Sequence, residues 1–157
     1  MPKNTNVMDA MRTGISMLAG YEDPAFLSDN SRNANLEKGV KLLAKTPSIA
    51  ANAYRSLINQ PFVNPDPKLG FAENLLFMIK GSTPDHVSLE SFDRVLTCYS
   101  EHEMANSTFT ARVISSTFSD MYGGMVGAIA SLKGPLHGGA NESAMYMLLD
   151  ILENGGA

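Results

Sequence analysis

Pro135-Leu136-His137-Gly138-Gly139-Ala140 places a histidine between a proline and a pair of glycines in this chain of 157 residues. A helical pattern from Asn141 to Leu152 follows directly. Backbone amides at a helix start carry partial positive charge, so we expect the His137 imidazole to be held neutral. A neutral imidazole can donate a hydrogen bond to a carbonyl and accept a proton back. The glycines lack a Cβ, which lets a bulky substrate approach the backbone.

Outward from this stretch, apolar residues recur at helical spacing, and prolines and glycines separate the segments. The pattern predicts the helices Met8–Ala19, Leu36–Asn59, Phe71–Lys80, Val87–Glu101, Asn106–Ser119, Tyr122–Leu132 and Asn141–Leu152. Pro47 predicts a kink or short break near Thr46, because proline removes a backbone donor. In the last helix, the side chains expected to face the core are Ala144, Met145, Leu148, Leu149 and Leu152. No stretch alternates with the period of a strand, so the predicted fold class is all-α.

The composition limits the partners and the compartment that we expect. With 44% hydrophobic and 18% charged residues, the chain can form the core of one domain. The net charge of -4 argues against binding to a nucleic-acid backbone, and no apolar run reaches the ~18 residues of a membrane span. Met1-Pro2-Lys3-Asn4-Thr5 lacks the apolar core of a signal peptide. The single cysteine, Cys98, suits a reducing cytoplasm, and we expect it to be buried as a small hydrophobic residue.

Two segments, Ser107 to Ser119 and Gly123 to Ser131, are unusually rich in Gly, Ala, Ser and Thr. Glycine in a helix costs about 1 kcal/mol relative to alanine, so another interaction must offset that cost. Close helix packing is the natural candidate. The contact lies either inside one domain or between two subunits, and the sequence leaves both alternatives open.

Several blocks of the sequence resemble citrate synthases and their 2-methylcitrate synthase relatives. Leu132-Lys133-Gly134-Pro135-Leu136-His137-Gly138-Gly139-Ala140-Asn141-Glu142 resembles the central motif of the family. His102-Glu103-Met104-Ala105-Asn106-Ser107-Thr108-Phe109-Thr110-Ala111-Arg112-Val113 is similar to its other histidine segment. Met8-Asp9-Ala10-Met11-Arg12-Thr13-Gly14 resembles its early helix, and Lys45-Thr46-Pro47-Ser48-Ile49 with Tyr54-Arg55 its long helix. The blocks follow one another in the family's order across nearly the whole chain.

The resemblance implies a multi-helical, citrate-synthase-like large domain that lacks the small domain. Residues 1–157 are interpreted as part of the large helical domain of a longer synthase. The small domain would carry a further histidine, the catalytic aspartate and most of the substrate-binding arginines. The resemblance also implies a homodimer of paired antiparallel helices, with an interface on the predicted helices Met8–Ala19, Leu36–Asn59, Ser107–Ser119 and Tyr122–Leu132.

The resemblance further assigns roles to individual residues. The family condenses acetyl-CoA or propionyl-CoA with oxaloacetate. The histidine that matches His137 hydrogen-bonds the thioester carbonyl while an aspartate removes a proton from the adjacent carbon. The residues expected to bind substrate are His102, Asn106 and Gly138. His102 matches a ligand of oxaloacetate, Asn106 is also expected to orient that loop or cap the next helix, and Gly138 lies near a hinge between domains. Acyl-CoA is a substrate here, and no metal or other cofactor is implied.

Two functions therefore stay open at this point. The first is a fragment of an acyltransferase, inactive alone because the base and the anion-binding arginines are missing. The second is a non-catalytic helical dimerisation module, which makes no use of His137. The preference for acetyl-CoA or propionyl-CoA is undecided, with a slight lean toward 2-methylcitrate-type members. A zinc-protease motif is disfavoured, because Asn106 stands where the second histidine of that motif belongs. Arg12, Arg55 and Arg112 are interpreted as structural.

Overall fold

The computed structural model describes residues 2 and 4–155, and these residues form helices joined by turns and loops. The α-helices are α1 (Val7–Leu18), α2 (Pro24–Ser28), α3 (Arg32–Leu57), α4 (Phe71–Lys80), α5 (His86–Tyr99), α6 (Asn106–Ser115), α7 (Met121–Leu132) and α8 (Gly139–Asn154). A 3-10 turn, Ala19–Tyr21, follows α1. No strand occurs in the described residues, and the all-α class is confirmed.

Helix α3 differs most from its predicted bounds. It begins at Arg32 rather than Leu36, because the Ser31 side chain caps it by accepting a hydrogen bond from the Ala34 amide. It also continues through Pro47, so the predicted short break is absent, and the alternative prediction of a kink there stays a prediction. Helix α4 has the predicted bounds, from Phe71 to Lys80.

The ends of two other helices were predicted wrongly, and one short helix was not predicted. Helix α6 ends at Ser115 rather than Ser119, since the chain turns there and Phe118 adopts a left-handed φ of 61°. Helix α5 ends at Tyr99 rather than Glu101. The short α2 was not predicted, although its sequence signal is clear: Asp23 caps the Ala25 amide at 2.7 Å, and a proline occupies the first helical position.

The hydrophobic core lies where α1, α3 and α7 meet. Its buried members are Ile15 of α1, Leu42 of α3, and Tyr122 and Ile129 of α7. Partly buried apolar residues from the same helices surround them. One of these helices, α7, leads directly into the turn on which His137 lies.

Two buried cations brace the loops around α3. The Lys38 ammonium donates to the carbonyls of Leu27 and Asp29 at 2.9 and 2.5 Å. The Arg55 guanidinium donates to the carbonyls of Pro61 and Ile79 at 2.6 and 2.9 Å. Because buried charges require such partners, Arg55 has the structural role that the sequence analysis expected.

Arg12 and Arg112 differ in their surroundings. Arg12 pairs with Asp9 at 3.2 Å within α1, which fits a structural role. Arg112 is exposed, and its guanidinium lies 3.9 Å from the Met104 sulfur; it forms no ion pair with any residue that the structure describes.

The small residues of α7 allow α6 to approach it closely. A Cβ added at Gly127 would overlap the side chain of Ile114, and one at Gly124 would lie 3.1 Å from the Ser115 hydroxyl oxygen. Close packing of two helices inside the chain therefore accounts for these glycines. A role in a subunit interface stays a prediction.

Helix α8 contradicts the expected inward packing. All of its residues from Ala140 to Asn154 are exposed, and its large apolar side chains expose between 44% and 80% of their surface. The residues expected inside, Ala144, Met145, Leu148, Leu149 and Leu152, are thus at the surface. Helical spacing identifies an apolar face but not the element that covers it, and no helix of the described residues packs along this one. Cys98, expected to be buried, is exposed as well.

A hydrogen-bonded cluster lies at the edge of the core. The Tyr122 ring is 1% exposed, and its hydroxyl donates to the Glu22 carboxylate at 2.8 Å. The Lys41 ammonium contacts the other carboxylate oxygen at 3.0 Å, and its hydrogen bond is the largest cause that lowers the pKa of Glu22. Burial, helped by the bond to Glu22, raises the pKa of Tyr122 to about 12.

The first prediction concerns the α6–α7 contact. Gly127→Ala should lower the free energy of unfolding by about 1–3 kcal/mol, because the new Cβ overpacks against Ile114. The matched control is Gly39→Ala in α3, where no atom lies within 4 Å of the added Cβ. That change should raise stability by up to about 1 kcal/mol. Urea denaturation followed by circular dichroism measures both, and equal effects in the two variants would contradict close α6–α7 packing.

The second prediction concerns alkaline stability. The pKa of the Tyr122 hydroxyl is higher in the folded chain, about 12, than in the unfolded chain, near 10. The stability that this difference gives is complete below the unfolded pKa and is lost as the pH rises through the folded pKa. Tyr122→Phe should remove this loss between pH 10 and 12. It should also cost about 1–2 kcal/mol near pH 7, since Glu22 loses one partner. Tyr146→Phe on exposed α8 is the control. Parallel pH profiles for the parent and Tyr122→Phe would refute the assignment to Tyr122.

Candidate functional site

His137 lies on the tight turn that connects α7 to α8. The carbonyl of Gly134 accepts hydrogen bonds from the amides of His137 and Gly139, both at 3.0 Å. Leu136 is fully exposed at the tip of the turn, whereas His137 is half-buried beside it. Helix α8 begins at Gly139, so the histidine precedes a helix as expected.

The His137 ring faces the start of α6. Its Nε2 lies 3.0 Å from the Ser107 hydroxyl oxygen and 3.4 Å from the Ser107 backbone nitrogen. A backbone N–H can only donate, so this contact requires Nε2 to act as an acceptor. The proton of the neutral ring then resides on Nδ1, which is left as a donor.

The amide that meets the ring differs from the one expected. The sequence analysis placed His137 against the amides of the helix that follows it, α8. The amides of Gly139, Ala140 and Asn141 instead donate to carbonyls of the turn itself. The N-terminal end of α6 supplies the N–H, through Ser107. The predicted arrangement, an imidazole at a helix start, is present, but the helix is a different one.

The glycine pair is needed for the turn to fold back on α7. A Cβ at Gly138 would overlap the carbonyl and side chain of Leu132. One at Gly139 would lie 2.8 Å from the Gly134 carbonyl oxygen. Internal packing therefore suffices to explain both glycines, and a substrate contact at Gly138 stays a prediction. Gly138 also lines a cavity of about 680 Å³ between the starts of α1 and α8.

His102 lies on the loop between α5 and α6, close in sequence to the α6 start that His137 contacts. Its side chain is exposed, and its ring packs edge-on against Tyr99 with 5.5 Å between centroids and 79° between planes. Glu103, the next residue, has a left-handed φ of 59°. The structure thus places His137 against the N-terminal end of α6 and His102 on the loop that precedes this helix.

Asn106 does not cap α6. The capping position belongs to Ala105, whose backbone is extended and which makes no side-chain cap. Asn106 is the first helical residue, and its side-chain oxygen accepts a hydrogen bond from the Ser131 hydroxyl at 2.6 Å. It therefore ties the start of α6 to the end of α7, near the His137 turn. Sequence reasoning missed Ser107, Ser131 and Tyr99, because their contacts depend on how α5, α6 and α7 pack.

Two searches limit what the described residues can do. Nowhere in residues 2 and 4–155 do three His, Cys, Asp or Glu side chains gather as potential metal ligands. In the same residues, none of the helices combines the length and apolarity that crossing a bilayer requires.

Together, these features define an all-helical protein in which a histidine on a glycine-rich turn faces a neighbouring helix start. The family described as citrate synthase, C-terminal domain, matches residues 1–156. The chain therefore belongs to the citrate synthase family. A citrate/2-methylcitrate synthase of Bacillus subtilis is 49% identical over 96% of this chain and 40% of its own length. A 2-methylcitrate synthase of Mycobacterium tuberculosis is 40% identical over 96% of this chain and 37% of its own length.

Solved structures agree with this assignment. Citrate synthase from Pyrobaculum aerophilum superimposes with a TM-score of 0.87 at 34% identity, over 95% of this chain and 39% of that one. A ternary complex of Thermoplasma acidophilum citrate synthase with carboxymethyl coenzyme A and oxaloacetate gives a TM-score of 0.88 at 28% identity, over 96% and 39%. The chain spans about 40% of the length of the relatives it matches.

The third prediction concerns the His137 tautomer. In the neutral ring, the proton should reside on Nδ1, and Ser107→Ala should preserve this because the backbone amide remains. Long-range ¹H–¹⁵N NMR of histidine-labelled chain measures it, with the exposed His86 as an internal reference. A protonated Nε2 in the neutral His137 ring would contradict the contact with Ser107.

Proposed function

We propose that the chain supplies the His102 and His137 portion of a citrate or 2-methylcitrate synthase. The parent reaction joins acetyl-CoA or propionyl-CoA to oxaloacetate and hydrolyses the resulting thioester. The observation that carries the proposal is the Ser107 amide on Nε2 of His137, because it leaves Nδ1–H as the donor. The names of the relatives, and the ternary complex of the Thermoplasma enzyme, support these substrates.

In the proposed mechanism, Nδ1–H of His137 donates to the thioester carbonyl oxygen of the acyl-CoA. A carboxylate removes a proton from the adjacent carbon, and the hydrogen bond stabilises the enolate-like charge on the oxygen. The carbon then attacks the ketone carbon of oxaloacetate, whose oxygen gains a proton and becomes a hydroxyl. His102 hydrogen-bonds oxaloacetate, and water finally cleaves the thioester. No metal or prosthetic group is required.

We further propose that the chain alone is inactive. Within the described residues, no acidic side chain hydrogen-bonds His102 or His137. The resemblance assigns the base and most anion-binding arginines to the small domain. A cytoplasmic location and a homodimer belong to the same proposal.

The second candidate, a non-catalytic dimerisation module, is favoured by one observation. Leu36, Val40 and Leu43 are each at least 58% exposed and repeat along one face of α3. Phe109 and Val113 form a similar exposed pair on α6. Both helices are among the four that the resemblance assigns to a dimer interface. Dimerisation through them does not require His137.

The fourth prediction discriminates between the two candidates. The chain should release no thiol from acetyl-CoA or propionyl-CoA with oxaloacetate by itself. Adding a polypeptide that carries the remaining portion of the Bacillus subtilis relative should restore turnover. His137→Ala should reduce the restored rate by at least about 10²-fold, since both the donor and its charge stabilisation are lost.

The control for that experiment is His86→Ala. His86 is exposed at the first position of α5, away from the site, and its loss should leave the restored rate unchanged. Restored turnover that survives His137→Ala would refute the catalytic assignment. A complex that forms without turnover would favour the dimerisation module. Turnover by the chain alone would refute the proposed inactivity.

A further inference from the structure

Tyr99 connects the two histidine segments of the site. It is the last residue of α5, and its ring packs edge-on against His102, at 5.5 Å and 79°. Aromatic rings at this separation prefer edge-on geometry, which restricts the tilt of one ring relative to the other. The same side chain reaches α8, since its hydroxyl donates to the Asn141 side-chain oxygen at 2.8 Å. Asn141 lies in the first turn of α8, directly after the His137 turn.

The contact with Tyr99 is the aromatic contact that the structure gives the His102 ring among residues 2 and 4–155. Its side chain is exposed, and no hydrogen bond to the ring occurs among residues 2 and 4–155. Its nitrogens are therefore free for a ligand, while the ring packs against Tyr99. The loop around it is shaped by the left-handed Glu103, whose amide donates to the Glu101 carboxylate.

The contact with His137 lies at the other end of the loop and does not involve Tyr99. Ser107 of α6 contacts His137, and Asn106 is held by Ser131 of α7. The loop that carries His102 is thus tied to the α7–α8 connection at both of its ends, by Tyr99 before it and by Ser107 after it. Only the Tyr99 tie touches the His102 ring itself.

We propose that Tyr99 is a positioning residue that sets the plane of the His102 ring and holds it in register with the His137 turn through Asn141. The inference rests on the proposed function, because it matters only if His102 binds the oxo acid. Two parts of the side chain act separately. The ring orients His102, and the hydroxyl fixes the loop to α8.

The experiment is NMR of the chain labelled at histidine and asparagine, with oxaloacetate as the probe. Tyr99→Leu should change the three-bond couplings across the Cβ–Cγ bond of His102, which report its ring plane independently of the lost Tyr99 ring current. It should also weaken the oxaloacetate-induced response by about threefold to tenfold. Tyr99→Phe should keep the His102 resonances but shift those of the Asn141 side-chain amide. Tyr99→Phe and Asn141→Ala should weaken the response by the same factor, and the double variant by no more. The control is Tyr146→Phe, which removes a hydroxyl that lies 3.5 Å from the Glu142 carboxylate on the same helix α8. It should change neither the His102 nor the Asn141 resonances.

The outcomes separate this inference from the proposed function. If the parent chain does not respond to oxaloacetate while Tyr99→Leu still changes the His102 couplings, ring positioning stands and oxaloacetate binding by this chain is wrong. If the parent responds and Tyr99→Leu leaves the His102 couplings and the response unchanged, the positioning role is wrong and binding stands. If Tyr99→Leu unfolds the chain by circular dichroism, the Tyr99→Phe and Asn141→Ala pair decides, and additive effects overturn the proposal.

Discussion

The close approach of α6 to α7 is the constraint on which the site depends. Gly124 and Gly127 remove the side chains that would hold the two helices apart. That approach brings the start of α6 beside the end of α7, where Asn106 meets Ser131 and Ser107 meets His137. A pair of polar atoms about 3.6 Å apart no longer forms a hydrogen bond, so a separation of the helices by about 1 Å would break both contacts. The glycines of α7 lower helix stability, but they allow the helix approach that brings Ser107 to His137.

The chemistry of His137 arises from two elements that are separate in sequence. The turn after α7 fixes the backbone of His137, because its glycines pack on carbonyls where no Cβ fits. The first turn of α6 then fixes the proton, because its amide can only donate to Nε2. Neither element is sufficient alone. A histidine on the same turn without α6 could adopt either tautomer, and its donor would have no defined direction.

The sequence predicted most of the fold and the chemical centre, but not the contacts between helices. Periodicity located the α4 boundaries, and the glycine-flanked His137 pointed to a turn before α8. The expected break at Pro47 is absent, since residues on both sides of it keep α3 continuous. Asn106 was expected to cap α6, but the capping position is Ala105. The path of the backbone, and not the preference of the side chain, decides which residue occupies that position. Ser107, Ser131 and Tyr99 act only across helices, and no local pattern marks such pairs.

Helix α8 shows why an apolar pattern alone cannot place a helix. At 100° per residue, its apolar side chains from Met145 to Leu152 cover about 200° of the circumference. One neighbouring element covers a stripe of roughly 100°, so this helix requires neighbours on two sides. Its charged residues, the acids Glu142, Asp150 and Glu153, lie at 100° per residue on the side of the helix away from these apolar side chains. The exposed stripe on α3 lies on a different helix. A dimer that forms through the exposed stripe of α3 would therefore leave the apolar side chains of α8 exposed. Another element is needed to cover them.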